Sequence, residues 1–382
     1  MRYTIGQLAE IIDGDRGKNY PKQDEFYPQG YCLFLNTGNV TKEGFIFEEN
    51  QFIMKEKDEA LRKGKLKRGD IVYTTRGTVG NAGYYNSSVP YENVRINSGM
   101  VILRSNGEIV DARFLYQILK SEYYRPYFKQ YCTGSAQPQL PIKNFSQIYL
   151  NVPDIKTQHR IADILSVYDN LIENNQKQIK LLEEAAQRLY KEWFVDLRFP
   201  GHENTKIVDG VPEGWRRGLL KELISVNYGK DHKKAPDDGN IPVYGSGGLM
   251  RKCNKSLFSG EAVLIPRKGS LNNIMYVDET FWTVDTMFYA TMKQPHTAVF
   301  VYFFVKAFDM YSMNIGAAVP SMTTKILDAM DVVIPDKETL EKFDKLTKTY
   351  FNKIKTLQGQ NERLKIARDL LLAKLMSGEV EV

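Results

Sequence analysis

Gly134-Ser135-Ala136-Gln137-Pro138-Gln139-Leu140 is matched 182 residues later by Gly316-Ala317-Ala318-Val319-Pro320-Ser321-Met322, which keeps its Gly, second Ala and Pro at the same places. The match runs outward at that offset: Lys143 with Lys325, Val152-Pro153 with Ile334-Pro335, then Leu182, Ala185 and Leu189 with Leu364, Ala367 and Leu371. About sixty residues repeat without a slip. A duplicated unit of nearly half the chain makes a pseudo-symmetric molecule, suited to symmetric partners or to two half-sites.

Ahead of each tight repeat lies a mixed α/β run. In the first, Gly69-Asp70-Ile71-Val72-Tyr73-Thr74 enters a strand through a Gly-Asp turn, Ser98–Leu103 predicts a second strand and Ile148–Val152 a third. Phe114, Leu115, Ile118, Leu119 and Tyr123 have helical spacing toward Phe128, disturbed at Pro126. The second run repeats the scheme with Gly260–Ile265, Val284–Ala290, a helix near Val299–Asp309 and Asp331–Ile334. Here Gly69, Val72 and Arg76 align with Gly260, Val263 and Arg267 at an offset of 191, so the globules are duplicated loosely and the segments after them tightly.

Those tight segments read as long helices. From a start near Asp154 or Thr157, Ile161, Tyr168, Asn175, Leu182 and Leu189 recur every seven residues beside Leu165, Ile172, Ile179, Ala186 and Trp193. Two such rows, four apart, make a coiled-coil seam. The second copy offers Phe343, Tyr350, Leu357, Leu364 and Leu371, with Leu346, Ile354, Ala367 and Leu375 beside them. Neither half holds two such helices, so the first is expected to pair with the second as an antiparallel coiled coil. A helix over 157–194 would be roughly 55–60 Å long at about 1.5 Å per residue, and polar Asn175 in its seam would set register. Phe199–Thr205 reads as a linker, and Asp209-Gly210-Val211-Pro212-Glu213-Gly214-Trp215 opens the second globule.

The fold class expected is therefore α/β (α+β), two pseudo-repeated globules separated by two long helices. The segments are 1–153, 154–200 (central helical spacer), 201–335 (with its entry linker) and 336–382 (C-terminal helix). The 382 residues, 42% hydrophobic and 26% charged, fit a soluble protein of at least two domains. No 18-residue apolar span and no signal-peptide core occur, which predicts a cytoplasmic protein. Three separated cysteines and four histidines form neither CxxC nor HxxxH, so no metal site is expected. A net charge of +6 permits a polyanionic partner, and 23 Tyr and 19 Phe among basic residues and glycines suit surfaces that meet phosphates and bases.

Taken in order, Gly69-Asp70-Ile71-Val72 leading to Arg76-Gly77-Thr78-Val79-Gly80, then Gly134–Leu140, then Pro153, Gln158, Ile161 and Leu165, and finally Val211-Pro212-Glu213-Gly214-Trp215, make the whole chain resemble the specificity (S) subunit of Type I restriction-modification systems. The resemblance implies that the globules are target-recognition domains, 1–153 and 201–335, each reading half of a split double-stranded DNA sequence. It implies that the helices fix the unread gap and dock two methyltransferase (M) subunits, with two restriction (R) subunits completing the complex. Half-sites on one face of B-DNA lie about one turn, roughly 34 Å, or multiples of it apart, compatible with a spacer of that length. In the second copy Arg-Gly-Thr-x-Gly becomes Arg267-Lys268-Gly269-Ser270-Leu271 and Gln158-His159 becomes Leu340-Glu341, so identical half-sites are not implied.

Candidate DNA contacts follow from residue type. Arg76 beside Gly77 and Thr78 could fork onto phosphate or guanine, with Arg267 and Lys268 as the corresponding pair. Ser135, Gln137 and Gln139 stand on a polar loop, and Gln suits adenine. Lys18 in Gly14–Tyr20, Lys230, Lys233 and Lys234, and Ser246 in Tyr244–Gly248 lie on glycine-permitted loops suited to phosphate. The mixed-sign run Lys55–Arg68 reads as an exposed helix and turn. The helices that would space and dock are marked by Ile161, Leu165, Tyr168, Ile172, Leu182, Leu189, Tyr350, Leu357, Leu364 and Leu371.

Catalysis is not expected from this chain. It contains no GxxxxGK(S/T), no glycine-rich S-adenosylmethionine (SAM) run and no (D/N/S)PP(Y/F), while Asp154-Ile155-Lys156 and Asp231-His232-Lys233 lack a suitably placed upstream acid. SAM, ATP and Mg2+ are expected on partner subunits, with no cofactor on this chain. A DNA-binding regulator or scaffold outside restriction, with the same architecture, is the alternative.

Overall fold

The computed structural model describes residues 1–134, 137–313 and 321–382, leaving out the Lys234 side chain. Of the repeat residues, Ala136, Gly316, Ala318 and Pro320 fall outside that set. The chain packs as two compact units: residues 1–175 with 359–382, and residues 176–358. Each unit thus takes one globule, half of the central helix and half of the C-terminal helix.

In the first unit the strand Ile71–Thr74 runs antiparallel to Met100–Ser105 and Ala82–Tyr84, and Ala9–Asp13 closes the sheet beside Met100–Ser105. Ile71 and Tyr73 face a core shared with Phe114, Leu115, Ile118 and Phe145. Val72 faces the opposite core with Leu33, Leu35 and Ile102. Burial on both faces is why this run is apolar without a break. Cys32–Leu35, parallel to Val94–Ile96 and antiparallel to Phe52–Ile53, completes the second layer.

The second unit joins the same neighbours into one six-stranded sheet, ordered Ile224–Tyr228, Met287–Met292, Phe258–Pro266, Met275–Thr283, Ile241–Gly245, Gly248–Cys253. Its long strand Met275–Thr283 pairs antiparallel with Phe258–Pro266 at one end and parallel with Ile241–Gly245 at the other. It does the work shared in the first unit by Ala82–Tyr84 and Val94–Ile96.

The equivalence of the sheets corrects the 191-residue alignment. Thr74 pairs with Met100 and Pro266 with Met287, and Val72 and Leu264 face the corresponding cores, so the offset is 192. Val263, set against Val72 by sequence, points to the other face, as a one-residue slip in a strand requires. Arg76 is therefore matched by Lys268, and Arg267 by Thr75.

Two local expectations also change. The helix expected through Phe128 ends at Lys120, and a second begins at Arg125 with Pro126 in its first turn, so this proline starts a helix rather than disturbing one. The run Lys55–Arg68 is not wholly exposed: Asp58 is buried, its carboxylate 2.5 Å from both Lys65 Nζ and Arg95 Nε.

The central helix runs Ile155–Tyr190 and ends in a π-helical turn, Lys191–Val195; the C-terminal helix runs Lys337–Ser377. Aspartates at equivalent places cap both, Asp154 accepting from the Thr157 amide and Asp336 from the Thr339 amide. In the first unit Ile161, Ala162 and Leu165 share a core with Leu372 and Leu375, and buried Asn175 donates to Asn361 Oδ1 at 2.9 Å. In the second, Ala186, Tyr190 and Trp193 share a core with Leu340 and Phe343. Rising numbers on one helix meet falling numbers on the other, so the pairing is antiparallel within each unit. Ile161, Leu165, Ile172 and Leu357 are buried, whereas Tyr168, Leu182, Leu189, Tyr350, Leu364 and Leu371 are half-buried at the seam's edges.

The second row of the C-terminal seam is Leu340, Thr347, Ile354, Asn361, Arg368 and Leu375, not the row through Leu346 and Ala367, which are exposed. Polar residues hold three of its six places, so it shows no apolar heptad in the sequence. In the first unit Arg368 Nη1 lies 2.9 Å and Lys120 Nζ 2.5 Å from Asp169, which also accepts from Gln117 Nε2 at 2.6 Å. Burial raises the Asp169 carboxyl, but Lys120 and Arg368 more than offset this and hold it below the usual aspartate range; burial pushes the Lys120 ammonium down to about 8.

Asn175→Leu alone strands the Asn361 amide and is expected to destabilise by roughly 1–3 kcal/mol, whereas adding Asn361→Leu restores most of the loss. Denaturation midpoints of the two single variants and the double variant check this. Asp169→Asn leaves two cations facing each other and is expected to destabilise by roughly 3–5 kcal/mol. Because this carboxyl titrates lower folded than unfolded, the unfolded chain takes its proton first. Its contribution is present above the ordinary aspartate value of about 3.9 and fades as pH falls further. The stability gap between wild type and Asp169→Asn should therefore narrow in acid, as read by midpoints at pH 6 and about pH 3.

Candidate nucleic-acid interface

One end of each sheet gathers loops around the turn that follows the central strand. In the first unit the Thr75 and Arg76 amides both donate to Gly99 O, at 2.9 and 3.1 Å, and Leu140 donates back to Thr75 O at 2.9 Å. Arg76 bridges to Gln139, which exchanges two backbone hydrogen bonds with Thr133. Gly77 and Gly80 adopt left-handed φ of 69° and 98°, turning the chain so that Arg76, Gly77 and Thr78 stand exposed. Thr74 Oγ1 braces the turn from beneath, donating to Thr78 O at 2.5 Å. The Arg76 guanidinium has no hydrogen-bond or ion-pair partner among the described residues.

The Gly14–Tyr20 loop packs against Asn97 and Ser98, next to the Gly99 carbonyl that holds this turn. A Cβ on Gly14 would stand 2.3 Å from Asn97 O, so only glycine fits. Asp15 is held well below the usual range by hydrogen bonds from the Arg62 and Gly17 amides, and Arg16 reaches back to Ser98 O at 3.1 Å.

The second unit rebuilds this arrangement with other side chains. The Arg267 and Lys268 amides donate to Thr286 O, Met322 donates to Arg267 O, and Lys268 bridges to Ser321. Gly269 repeats the left-handed turn of Gly77, with φ of 85°. A Cβ on Gly229 would meet Val284 O at 1.9 Å, the counterpart of Gly14 on Asn97. Lys230 follows it, its amide on Thr283 O and its carbonyl on Trp282 Nε1. Ser246 joins the cluster through Asn273, whose Nδ2 donates to Ser246 O at 2.9 Å.

Each unit therefore brings part of its expected set together. Arg76, Gly77, Thr78 and Gln139 form one assembly, and Lys230, Ser246, Arg267 and Lys268 the other; Gln137 stands exposed two residues before Gln139. Lys18 is exposed farther along its loop, and Lys233 lies on the 3-10 turn His232–Lys234, and neither side chain is hydrogen-bonded to its assembly among the described residues. Ser135 and the Lys234 side chain lie outside the described residues. Arg267 is not a free counterpart of Arg76: it is half-buried, its guanidinium 5.5 Å from the Tyr228 ring centroid. Thr37, which packs beneath Gly99, and Tyr311, whose hydroxyl donates to Gly269 O at 3.2 Å, also belong to the two assemblies; no motif in the sequence marks either.

Among the described residues no group of three or more His, Cys, Asp or Glu could hold a metal ion, and no helix is long and apolar enough to cross a membrane. The duplicated loop assemblies on a basic chain are two candidate surfaces for a polyanion. Comparison with known proteins gives the family. The model of the Type I restriction modification DNA specificity domain matches residues 1–184 and again 212–365. The HindI specificity subunit of Haemophilus influenzae is 24% identical, across 98% of this chain and 100% of its own length. The MjaIX specificity subunit of Methanocaldococcus jannaschii is also 24% identical, across 85% and 81%. In fold, the S subunit of a Type I restriction-modification system from M. genitalium aligns over 98% of this chain and 95% of its own, with a TM-score of 0.54 at 18% identity.

The chain belongs to the Type I restriction-modification DNA specificity family. Its role is recognition of DNA within such a system, and its partners in general terms are DNA and methyltransferase subunits.

Gly14→Ala and Gly229→Ala each drive a methyl group into a backbone carbonyl and are expected to loosen only their own loop assembly, by roughly 1–3 kcal/mol. Amide hydrogen exchange at Arg76 and at Lys268 should rise separately in the two variants; unchanged protection would mean that the loops yield freely.

Proposed function

We propose that each loop assembly reads one half of a split DNA sequence, and that the two long helices set the unread gap and carry the docking faces for two methyltransferase subunits, with two restriction subunits completing a nuclease complex. The observation that carries this reading is the repetition of one backbone framework with different exposed side chains. Arg76 beside Gln139 and Lys268 beside Ser321 occupy equivalent bridges. Equal frameworks hold both readers alike, and unlike side chains let them select different bases. The domain segments 1–153, 154–200, 201–335 and 336–382 correspond to reader, spacer, reader and spacer.

Partner docking is supported by apolar side chains that the helices leave in solvent. The seam residues turn inward, while Ile164, Val167, Leu171, Ile366 and Leu370 in the first unit, and Leu181 and Leu346 in the second, remain exposed. In this reading the chain itself is not catalytic and binds no cofactor. SAM, ATP and Mg2+ belong to the partner subunits, consistent with the lack of a GxxxxGK(S/T) or (D/N/S)PP(Y/F) run in the sequence.

Sequencing methylated bases in cells with and without the gene is the direct test: one split motif should lose adenine methylation on deletion. Purification should bring down about two methyltransferase chains per copy, whereas a regulator would bind its site alone. Arg76→Ala should weaken or relax one half-site and spare the other; equal relaxation of both would defeat the assignment of one unit to each half.

A further inference from the structure

The two units place an arginine head at the same point of the framework by different routes. Asp13 pairs with Val101 and Tyr228 with Phe288, so these strand-terminal residues are equivalent. Ser98 and Asp285 each lie three residues before those partners. In the first unit Arg16, from the loop just after Asp13, donates through Nη2 to Ser98 O at 3.1 Å and to Asp13 Oδ1 at 3.2 Å. In the second, Arg267 comes instead from the turn after Phe258–Pro266. Its Nη1 donates to Asp285 O at 3.1 Å, and its guanidinium lies 5.5 Å from the Tyr228 ring centroid. Both heads thus rest on the same carbonyl, steadied by the same strand-terminal position, once by a carboxylate and once by a ring.

Neither head is used up by these contacts. Arg16 keeps Nε and Nη1, and Arg267 keeps Nε and Nη2, without a partner among the described residues. Arg16 is 46% exposed. The open Nε–H and Nη2–H of Arg267 lie on one edge of the guanidinium and form a pre-oriented fork, whereas Arg16, with both bonds on Nη2, keeps N–H groups that point to different sides. Such a fork matches the O6/N7 edge of guanine, whereas a mobile exposed cation suits a phosphate. We propose that Arg267 is a specificity-determining residue of the second unit, reading a guanine with Tyr228 as its positioning residue, and that Arg16, at the equivalent place of the first unit, is a phosphate contact held by Asp13. The inference deepens the proposed function and rests on it. It also differs from the motif alignment, which pairs Arg76 with Arg267.

The test uses the full complex with its methyltransferase on a pool of DNA with randomised half-sites, sequencing the methylated products and measuring binding across a salt series. Arg267→Lys keeps the charge and removes the fork. It should relax one G·C position of one half-site by roughly 5- to 150-fold, leaving the salt slope and the other half-site unchanged. Tyr228→Leu should relax the same position, and Tyr228→Phe, which keeps the ring, should retain specificity. Arg16→Ala should weaken binding over all sequences, with a salt slope lower by about 1. Unchanged base preference in Arg267→Lys would overturn the inference, as would a base-specific loss in Arg16→Ala. If wild type selects no split sequence at all, the proposed function fails first and this inference falls with it.

Discussion

Neither globule completes its core from its own stretch of chain. The first needs Ile161, Ala162 and Leu165 from the central helix together with Leu372 and Leu375 from the far C-terminus; the second needs Ala186, Tyr190 and Trp193 together with Leu340 and Phe343. Burial of these side chains forces the antiparallel pairing, because each unit must draw opposite ends of the two helices. The loop assemblies depend on that arrangement at one remove. Their strands pack onto Phe114, Ile118 and Phe145 or onto Val299, Phe300 and Phe303, layers that rest in turn on the helices.

Repetition and difference are divided by their physical jobs. Element ends keep the 182-residue offset where helix meets globule: Ile142–Ser146 against Thr324–Asp328, and the caps Asp154 and Asp336. The interior of the same joint does not. Gln158 is buried, donating to the Ile109 and Pro153 carbonyls and accepting from the Asp111 amide, while its counterpart Leu340 simply fills the core. A hydrogen-bonded amide and a leucine solve the same packing problem, so a joint can be alike in outline and unlike in chemistry.

The repeat, the long helices and the membership of Arg76 and Gln139 in one region were legible because they depend on patterns that a chain displays locally: a seven-residue period, glycines at turns, a constant offset. What misled was alternation. In a strand buried on both faces every residue is apolar, so nothing in Ile71-Val72-Tyr73 distinguishes one face from the other, and a shift of one against Val263 passes unseen. The C-terminal seam was hidden differently, since Thr347, Asn361 and Arg368 sit where apolar residues were sought. Arg16 was invisible as a counterpart of Arg267 because the two arise from loops that no alignment joins.

The polar pairs within the helices bear on what this chain avoids. At the 182-residue offset, Asn361 corresponds to Ile179, Arg368 to Ala186, Asn175 to Leu357 and Asp169 to Phe351. If the central helix of one molecule lay against the central helix of another, Asn175 would face Ile179 and Asp169 would face Ala186. Asn175 would be buried without its amide partner, and Asp169 would lose Arg368 and keep only Lys120 and Gln117, at a cost of roughly 1–3 kcal/mol for the stranded amide. A sequence that repeats itself so closely invites self-association and exchange of halves. These few unmatched residues make each helix recognise its sibling in the same molecule over its twin in the next.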